Sequence, residues 1–369
     1  DLGNEQAFKK LKNGKYDLNQ WNNIYWQRFE NFLRLTEKRN IIVQIEIWAQ
    51  YDFSGHSWDN NPWNPKNNIN YSYSNTILKE KYGRLNTPNE KQEFFQTVPS
   101  LRNNRIVLEY QNKFVDKILS ISLRFNHVLY CITNEILKEY SPEWGWYWAK
   151  YINNKAAKGN RLIFITEMFQ DVDIRGVQHK ASLDYPEIYS YIELSQNTGG
   201  VHVDDEHWDN LMYVYNYVSN ARRPINHIKT YGGDKVRWTL GDKNGLERFW
   251  RSIIGGGASM RFHRPPHGLG LNEKARASLR SVREIEKYVK MWEVEPHMEL
   301  LSARNKGEAY LSAFLGEKYI IYFPDNGSVE INFISGNYHY ILKWLNILNS
   351  KWVEREEIIP GNNVVRIST

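Results

Sequence analysis

Short apolar runs of strand length alternate with segments of helical periodicity over residues 17–291. Continuous runs such as Ile41–Trp48 are typical of parallel strands that are covered on both faces. Apolar steps of three and four residues are typical of amphipathic helices. The pattern predicts strands at 41–48, 127–135, 161–167, 189–195, 224–229 and 258–263, and helices at 17–38 (capped by Asp17), 104–124, 143–157, 207–220, 245–255 and 272–291.

This alternation predicts an α/β fold with a parallel sheet and crossover helices. A closed (β/α)₈ TIM barrel needs about eight strands, two more than the sequence supplies. The chain begins at Asp1 rather than Met, so we expect an upstream segment to have been removed or left out. We therefore favour a TIM barrel whose first two strands precede Asp1, over an open α/β sheet.

The pattern changes near residue 296, where short apolar strands are separated by turn residues such as Pro324–Gly327. This spacing predicts a small antiparallel β-sandwich. The predicted organisation is a catalytic barrel domain at 1–294 and an accessory sandwich at 295–369. The sandwich strands are predicted at 308–314, 318–323, 328–333, 338–344 and 363–367.

Composition adds one unusual feature, which is a high aromatic content of 14 Trp, 24 Tyr and 15 Phe. Sugar rings stack on such flat faces, although a large aromatic core explains the content equally well. The net charge of +6 is spread along the chain, which argues against nucleic acid and fits a mild attraction for anions. The single cysteine, Cys131, is expected to be a small buried hydrophobe, and no apolar stretch reaches the length of a membrane span.

Polar residues stand at the C-terminal ends of the predicted strands, where TIM-barrel enzymes carry their working residues. Three of these strand ends carry a carboxylate, and glycoside hydrolysis needs two, one protonated and one ionised. Alternatively, Glu46 or Glu167 forms a structural ion network with Arg261 or Lys229. The candidates are Glu46 and Trp48, Asn134 and Glu135, Glu167, Gln196 and Asn197, Lys229, and Arg261 and His263.

The pair Asn134-Glu135 resembles the Asn-Glu that ends the fourth strand of clan A glycoside hydrolases. The run Gly255–Lys274 is similar to a segment of a putative glycoside hydrolase group with a C-terminal "collagen-binding-like" sandwich. That resemblance covers nearly the whole chain. It implies that Glu135 is the general acid/base and that Asn134 binds the sugar beside the reacting carbon.

One departure from the resemblance concerns the second carboxylate. Clan A enzymes carry a nucleophilic Glu at the end of the seventh strand, where this chain has Ile228 or Lys229. Three alternatives follow: Glu167 is the partner of Glu135, Glu46 is the partner, or the protein binds sugar without cleaving it. We rank Glu167 first because its strand is adjacent to that of Glu135.

Two further groups are candidate substrate-binding residues. Lys229, Arg261 and His263 favour an anionic sugar, unless they only neutralise the carboxylates. The loop Trp48–Trp58, with His56 and Trp63, predicts a wall on which sugars stack, unless the loop packs its own aromatic rings. Near His202 the spacing of His and acidic residues matches no metal motif, and Asp204 or Asp205 is expected to be a helix cap.

The sequence thus predicts a glycoside hydrolase acting on a polysaccharide or oligosaccharide, with an anionic substrate as one option. A carbohydrate-binding pseudoenzyme is the alternative. Carbohydrate is the expected partner, and neither a cofactor nor a metal is expected. We expect an extracellular or periplasmic location, although no signal peptide is visible in this chain.

Overall fold

The computed structural model describes residues 5–85, 87, 91–200, 202–234, 237–334, 338–361 and 363–369. The chain divides into two compact units. Unit 1 comprises the residues up to Asp171 together with Val177–Tyr191. Unit 2 comprises Val172–Gly176 and Ile192–Thr369.

Unit 1 contains a parallel sheet, a short antiparallel hairpin and helices. The strands are β1 (Phe8–Lys10), β2 (Tyr16–Trp21), β3 (Val43–Ala49), β4 (Val128–Asn134) and β5 (Phe164–Thr166). The helices are α1 (Asn23–Glu37), α2 (Gly55–Asp59), α3 (Tyr73–Thr76), α4 (Arg105–Ser122), α5 (Glu143–Lys158) and α6 (Val177–Leu183).

The sheet of unit 1 has the order β3-β4-β5, with all strands parallel. Ala49 on β3 pairs with Asn134 on β4, so these two strands end at the same level. Their apolar runs were recognisable because both faces are covered, as is usual in parallel sheets. The polar residues that follow β3, β4 and β5 are therefore brought to one edge of this sheet.

The predicted helix at 17–38 begins later than expected, because its first residues form β2. Leu18 is fully buried, and β2 pairs with β1 across a turn that contains Gly14 at a φ of 84°. The helix starts after Asn22, whose side chain accepts a hydrogen bond from the backbone N–H of Ile24. The prediction of Asp17 as the cap is therefore wrong, and Asn22 has that role.

Stacked and edge-on aromatic rings form the core of unit 1. Trp48, only 2% exposed, lies within 5.2–6.5 Å, between ring centroids, of six other aromatic rings. Trp58 is fully buried, and its indole N–H donates to the carbonyl of Lys79. The aromatic content of this half of the chain is thus largely a matter of core packing.

Asparagine side chains hold the long segment after β3 in place. The amide of Asn64 donates to the carbonyls of Trp58 and Glu80 at 3.0 and 2.9 Å. The buried Asn68 donates to the carbonyls of Pro62 and Asn64. These bonds satisfy backbone groups that a loop of this length would otherwise leave unpaired.

Unit 2 begins with a second three-stranded parallel sheet, of order β6-β7-β8. Two of the predicted strands are shorter than expected, since β5 has three residues and β6 only two. The elements are β6 (Ile192–Glu193), α7 (Asp204–Tyr217), β7 (Ile225–Thr230), α8 (Gly241–Ile254), β8 (Ser259–Phe262) and α9 (Glu273–Ile285).

The C-terminal strands form antiparallel sheets, as the sequence predicted. One sheet has the order β12-β11-β9, a second β10-β13-β16, and β14 and β15 form a hairpin. The strand β15 was not predicted, because exposed charged residues interrupt its apolar pattern. The strands are β9 (Glu295–Pro296), β10 (Leu301–Ser302), β11 (Tyr310–Phe314), β12 (Lys318–Tyr322), β13 (Ser328–Asn332), β14 (His339–Asn346), β15 (Lys351–Pro360) and β16 (Val364–Ser368).

The fold is mixed α/β, and the six predicted parallel strands are present in two separate sheets. Closure into a barrel, a two-sheet sandwich and the domain boundary at 294/295 stay predictions. The compact units divide between Tyr191 and Ile192. This division separates the two parallel sheets, whereas the predicted boundary separates a barrel from a sandwich. None of the helices in the described parts of the chain has the length and apolar character to cross a bilayer.

We expect Trp48→Ala to destabilise the protein by about 3–5 kcal/mol, because it leaves a cavity among buried rings. Trp292→Ala is the matched control, since Trp292 is 75% exposed and its loss should change stability by less than about 0.5 kcal/mol. Urea unfolding of both variants measures the difference. Equal stabilities would show that Trp48 does not support the core.

Candidate functional site

The turn that follows β4 places Glu135 in an unusual backbone conformation. Glu135 has a φ of 54°, in the left-handed region that residues with a side chain rarely adopt. Such a conformation costs about 1–3 kcal/mol and persists only where the surroundings fix it. Glu135 is also 8% exposed, so the carboxyl group is held in a nearly enclosed position.

Hydrogen bonds of the two residues that follow Glu135 hold this turn in place. The N–H of Ile136 donates to the carbonyl of Met168, and the Ile136 carbonyl accepts from the N–H of Gln170 and the side chain of Gln178. The N–H of Leu137 donates to the Gln50 side chain at 2.8 Å. The chain after β4 is thus attached to the segment after β5 and to the end of β3.

Tyr51, which is itself held by Gln170, supplies a polar group to the Glu135 carboxylate. The Tyr51 hydroxyl hydrogen-bonds to Glu135 and accepts a hydrogen bond from the Gln170 amide at 3.0 Å. Burial raises the pKa of Tyr51, and the negative charge and hydrogen bond of Glu135 raise it further. Tyr51 therefore stays protonated and can donate its proton to the carboxylate.

Neither Tyr51 nor Gln170 was predicted from the sequence as a site residue. Both lie just beyond strand ends, Tyr51 two residues after β3 and Gln170 four residues after β5. That position was the available signal, since the carboxyl ends of parallel strands meet at one edge. Asn134, the last residue of β4, is half-buried beside Glu135.

Glu167 occupies an enclosed position in the structure. It is 2% exposed, and one carboxyl oxygen accepts hydrogen bonds from the backbone N–H groups of Thr133 and Met168 at 2.7 and 3.2 Å. The other oxygen lies against α5 at Gly145, where an added Cβ would come within 2.5 Å of it. Burial raises the pKa of Glu167 to about 8.

This environment does not support Glu167 as the second catalytic carboxylate. A group that touches substrate needs an open side, and α5 packs directly over this one. Gly145 is required there because any side chain would collide with the Glu167 carboxyl and the Tyr189 hydroxyl. Glu167 is instead a buried group that connects β4, β5 and α5.

Glu46, the other predicted carboxylate partner in unit 1, is half-buried on β3. It pairs with Cys131, which lies four residues before Glu135. At a strand rise of about 3.3 Å per residue, the two glutamates are offset by roughly 13 Å along the sheet. Glu46 thus lies deeper along the strands than the turn at Glu135.

The prediction of a sugar-stacking wall after β3 is wrong for its tryptophans. Trp48, Trp58 and Trp63 are at most 5% exposed, and other aromatic rings pack against them. His56, by contrast, has an exposed side chain 3.5 Å from the carboxylate of Asp59. The loop therefore packs its own aromatics, which was the alternative reading of the sequence.

In unit 2, Lys229 and Arg261 lie close enough to His263 for their charges to act on its ring. Burial, together with the positive charges of Lys229 and Arg261, lowers the pKa of His263 to about 3. Tyr231 packs edge-on against the His263 ring at 5.0 Å between centroids, and Trp238, 48% exposed, lies 5.1 Å from Tyr231. The ends of β7 and β8 thus carry a basic and aromatic cluster.

Asn197 does not join that cluster. It is fully buried, and its amide donates to the carbonyl of His207 in α7 at 2.9 Å. Its position is structural rather than accessible to a sugar. Gln196, beside it, is 8% exposed.

The acidic residues at the start of α7 have other roles than the predicted caps. Neither Asp204 nor Asp205 is the cap, since Val203 occupies that position. Asp205 forms an ion pair with Arg304 and accepts a hydrogen bond from Tyr310. Among the residues that the structure describes, no group of three or more His, Cys, Asp or Glu side chains is arranged to hold a metal ion.

Comparison with known proteins gives a partial sequence match and broader structural matches. A family described only as a domain of unknown function (DUF6298) matches residues 2–141. No curated protein is similar to the chain in sequence.

Several solved structures share the fold at low identity. A family 5 glycoside hydrolase from Bacteroides vulgatus is 10% identical over 93% of this chain and 83% of its own, with a TM-score of 0.55. A further glycoside hydrolase is 12% identical over 93% and 85%, with a TM-score of 0.55. The noncanonic maltogenic α-amylase AmyB from Thermotoga neapolitana is 10% identical over 96% and 81%, with a TM-score of 0.56. These likenesses concern the fold.

We expect Glu167→Gln to change how stability depends on pH. Between the unfolded pKa near 4.5 and the folded value of about 8, the folded protein holds a proton on Glu167 that the unfolded chain has lost. The native protein therefore becomes less stable as the pH rises through this window. The amide cannot ionise. The free energy of unfolding of the variant should therefore rise relative to that of the native protein by up to about 1.4 kcal/mol per pH unit across this window.

Urea unfolding of both proteins between pH 5 and 8 measures this difference. A constant difference between the two stabilities would mean that the Glu167 carboxyl is already ionised in the native state.

Proposed function

We propose that the protein is a carbohydrate-active enzyme that hydrolyses a glycosidic bond, with Glu135 as its general acid. The observation that carries this proposal is the nearly enclosed Glu135 carboxyl, held at a φ of 54° and hydrogen-bonded by Tyr51. Strained backbone clusters at functional sites. The fold shared with glycoside hydrolases supports the proposal.

In the proposed reaction, the protonated Glu135 gives its proton to the glycosidic oxygen as the bond to the sugar carbon breaks. A water molecule then attacks that carbon and loses a proton to a carboxylate. After proton transfer, the Tyr51 hydroxyl stabilises the charge on Glu135 by donating to it. Asn134, next to Glu135, is proposed to hydrogen-bond the sugar.

For the second carboxylate we propose Glu46, because Glu167 is enclosed. The offset of roughly 13 Å along the strands is too long for the ~5–5.5 Å carboxylate pair of a retaining enzyme unless both side chains lean together. A more widely spaced pair fits an inverting enzyme better, where a water lies between carboxylates ~6.5–9.5 Å apart. We therefore propose inversion.

We propose that the basic cluster of unit 2 is by itself a binding site for an anionic sugar. Lys229 and Arg261 supply positive charge, whereas His263 is neutral at pH 7 because its pKa is lowered to about 3. His263 therefore offers a hydrogen bond rather than a charge. The half-exposed Trp238 offers a face for a sugar ring. A uronic acid or sulfated sugar fits this chemistry, while the extracellular or periplasmic location stays a prediction.

A carbohydrate-binding pseudoenzyme is the second candidate function. Two observations favour it: β7 carries Lys229 where the resemblance would place a nucleophilic Glu, and Glu167 is enclosed. Such a protein would bind the same glycans without cleaving them.

We expect Glu135→Gln to lower turnover by about 10²–10⁴-fold, because the amide cannot transfer a proton. The substrate is chosen by screening neutral, uronic-acid and sulfated oligosaccharides with the native protein. Glu139→Gln is the matched control, since Glu139 is exposed four residues further along. Reducing-end release is measured, with thermal melting to check that both variants fold.

Two results would contradict the proposal. Unchanged turnover in Glu135→Gln would remove Glu135 from the chemistry. Binding of an oligosaccharide by the native protein in calorimetry, with no product after long incubation, would favour the pseudoenzyme.

We expect Tyr51→Phe to lower kcat/KM by roughly tenfold or more, because it removes a hydrogen bond to a charged group. Without this donor the ionised form of Glu135 is less stable, so the general acid keeps its proton to higher pH. The alkaline limb of the pH–rate profile should therefore move upwards. The control is Tyr73→Phe, whose ring is 55% exposed; an unmoved limb in Tyr51→Phe would mean that Tyr51 does not act on Glu135.

A further inference from the structure

A group of fully buried polar side chains lies in unit 2, where β7, α7 and α8 contribute to it. Charged and polar side chains are rarely buried completely unless they are paired. We name this group the buried arginine cluster. Its members, all 0% exposed, are His227 and Thr230 of β7, His207 of α7, and Arg248, Arg251 and Ser252 of α8.

The members of the buried arginine cluster are close enough to act on one another. The rings of His207 and His227 are 6.2 Å apart between centroids. Arg248 and Arg251 are three residues apart on α8, so they share one face of that helix. Burial lowers the pKa of His207, and the charges of Arg251 and Arg248 lower it further. Burial also lowers the pKa of His227, to about 3. Both rings are therefore neutral at pH 7, and the positive charge of the cluster belongs to the arginines.

Arg251 meets carboxylates on only one part of its guanidinium. Its Nη1 atom lies 3.4 Å from Glu247 and 3.9 Å from Asp204. Its Nε and Nη2 atoms are buried and have no hydrogen-bond partner in the part of the chain that the structure describes. Nε–H and Nη2–H form a two-donor fork, the geometry that binds anions in a bidentate manner. The fork of Arg251 is thus an anion-binding group that no described carboxylate uses.

Arg248 carries a buried charge that faces only neutral acceptors. It donates to the backbone carbonyls of His202, Tyr231 and Thr239 at 3.3–3.5 Å, which is long for hydrogen bonds of this kind. Its Nη2 atom is buried and has no partner among the described residues. Burial and the charge of Arg251 lower the pKa of Arg248 only to about 10, so its guanidinium stays protonated at pH 7.

The balance of charge in the cluster favours a monovalent anion over a water molecule. Glu247 and Asp204 together balance Arg251, and Lys243, 3.6 Å from Glu247, has its own partner in Asp325 at 2.6 Å. The charge of Arg248 is then left over. A water molecule accepts hydrogen bonds but leaves that charge uncompensated in a buried site, which is costly. An anion supplies both the acceptor and the charge.

From these groups we infer that unit 2 binds one small monovalent anion, such as a halide or nitrate, at the Nε–Nη2 fork of Arg251. Arg248 supplies the balancing charge, and the neutral ring of His207 has an N–H group to donate. The anion is small because every side chain of the buried arginine cluster is fully enclosed. This inference does not depend on the proposed function, since it concerns an ion inside the fold rather than a sugar.

The anion also supports the basic and aromatic cluster at the ends of β7 and β8. Arg248 holds the carbonyls of Tyr231 and Thr239, and Thr239 directly follows Trp238. The rings of Tyr231 and Trp238 pack against each other at 5.1 Å. An anion that fixes Arg248 therefore helps to fix two rings of that cluster.

The first test compares thermal melting in sodium bromide and in sodium gluconate at equal ionic strength, using protein purified throughout in each salt. Gluconate is too large for an enclosed site. We expect the melting temperature to rise by roughly 2 °C for each tenfold increase in bromide above its dissociation constant, because the ion binds only the folded protein.

Arg251→Lys should abolish this bromide dependence, because lysine keeps the charge beside Glu247 but lacks the fork. The matched control is Arg283→Lys, since the Arg283 side chain is 79% exposed and paired with Glu286. It should respond to bromide as the native protein does. An equal response in Arg251→Lys overturns the inference, because the effect is then a general one of the salt.

Crystals of the native protein grown in bromide provide a second test, which decides the question even if Arg251→Lys does not fold. We expect an anomalous bromide peak within hydrogen-bonding distance of Arg251 Nε and Nη2. The absence of a peak at this fork in molar bromide overturns the inference, in favour of water as the partner of these donors. Bromide peaks confined to the protein surface overturn it as well.

Discussion

The turn at Glu135 is the constraint on which the proposed site depends. A non-glycine residue at a φ of 54° is stable here only because Ile136 and Leu137 are hydrogen-bonded to the segments that follow β5 and β3. The same bonds bring Tyr51 to the carboxylate and Gln170 to the Tyr51 hydroxyl. Three strand ends are thus connected through one short turn, and the position of the acid follows from the pairing of the strands.

Beneath that turn, the aromatic core of unit 1 fixes the sheet. Trp48 is enclosed by rings from α4, α5 and the loop after β3, so the end of β3 is held where Tyr51 can contact Glu135. Glu167 contributes in a different way, because it accepts hydrogen bonds from the backbone of β4 and lies under Gly145. Trp48 and Glu167, which the sequence predicted to contact substrate, instead support the strand ends around Glu135.

The sequence predicted the elements better than the directions of their side chains. Apolar runs revealed β3 and β4, and Asn134-Glu135 was recognisable at a strand end. Periodicity alone could not show that Trp48 and Glu167 are enclosed, since burial depends on which helix packs over the strand. The β1–β2 hairpin was misread because Trp21 continues the apolar spacing of α1. Likewise, the charged and exposed β15 carries no apolar pattern.

The most direct test of the central claim is a crystal structure of the Glu135→Gln variant with a bound oligosaccharide substrate. The account predicts a glycosidic oxygen within about 2.6–3.2 Å of the amide at position 135, the distance over which a general acid transfers its proton. Asn134 should contact the adjoining sugar. An oligosaccharide bound with no glycosidic oxygen near position 135 would contradict the account.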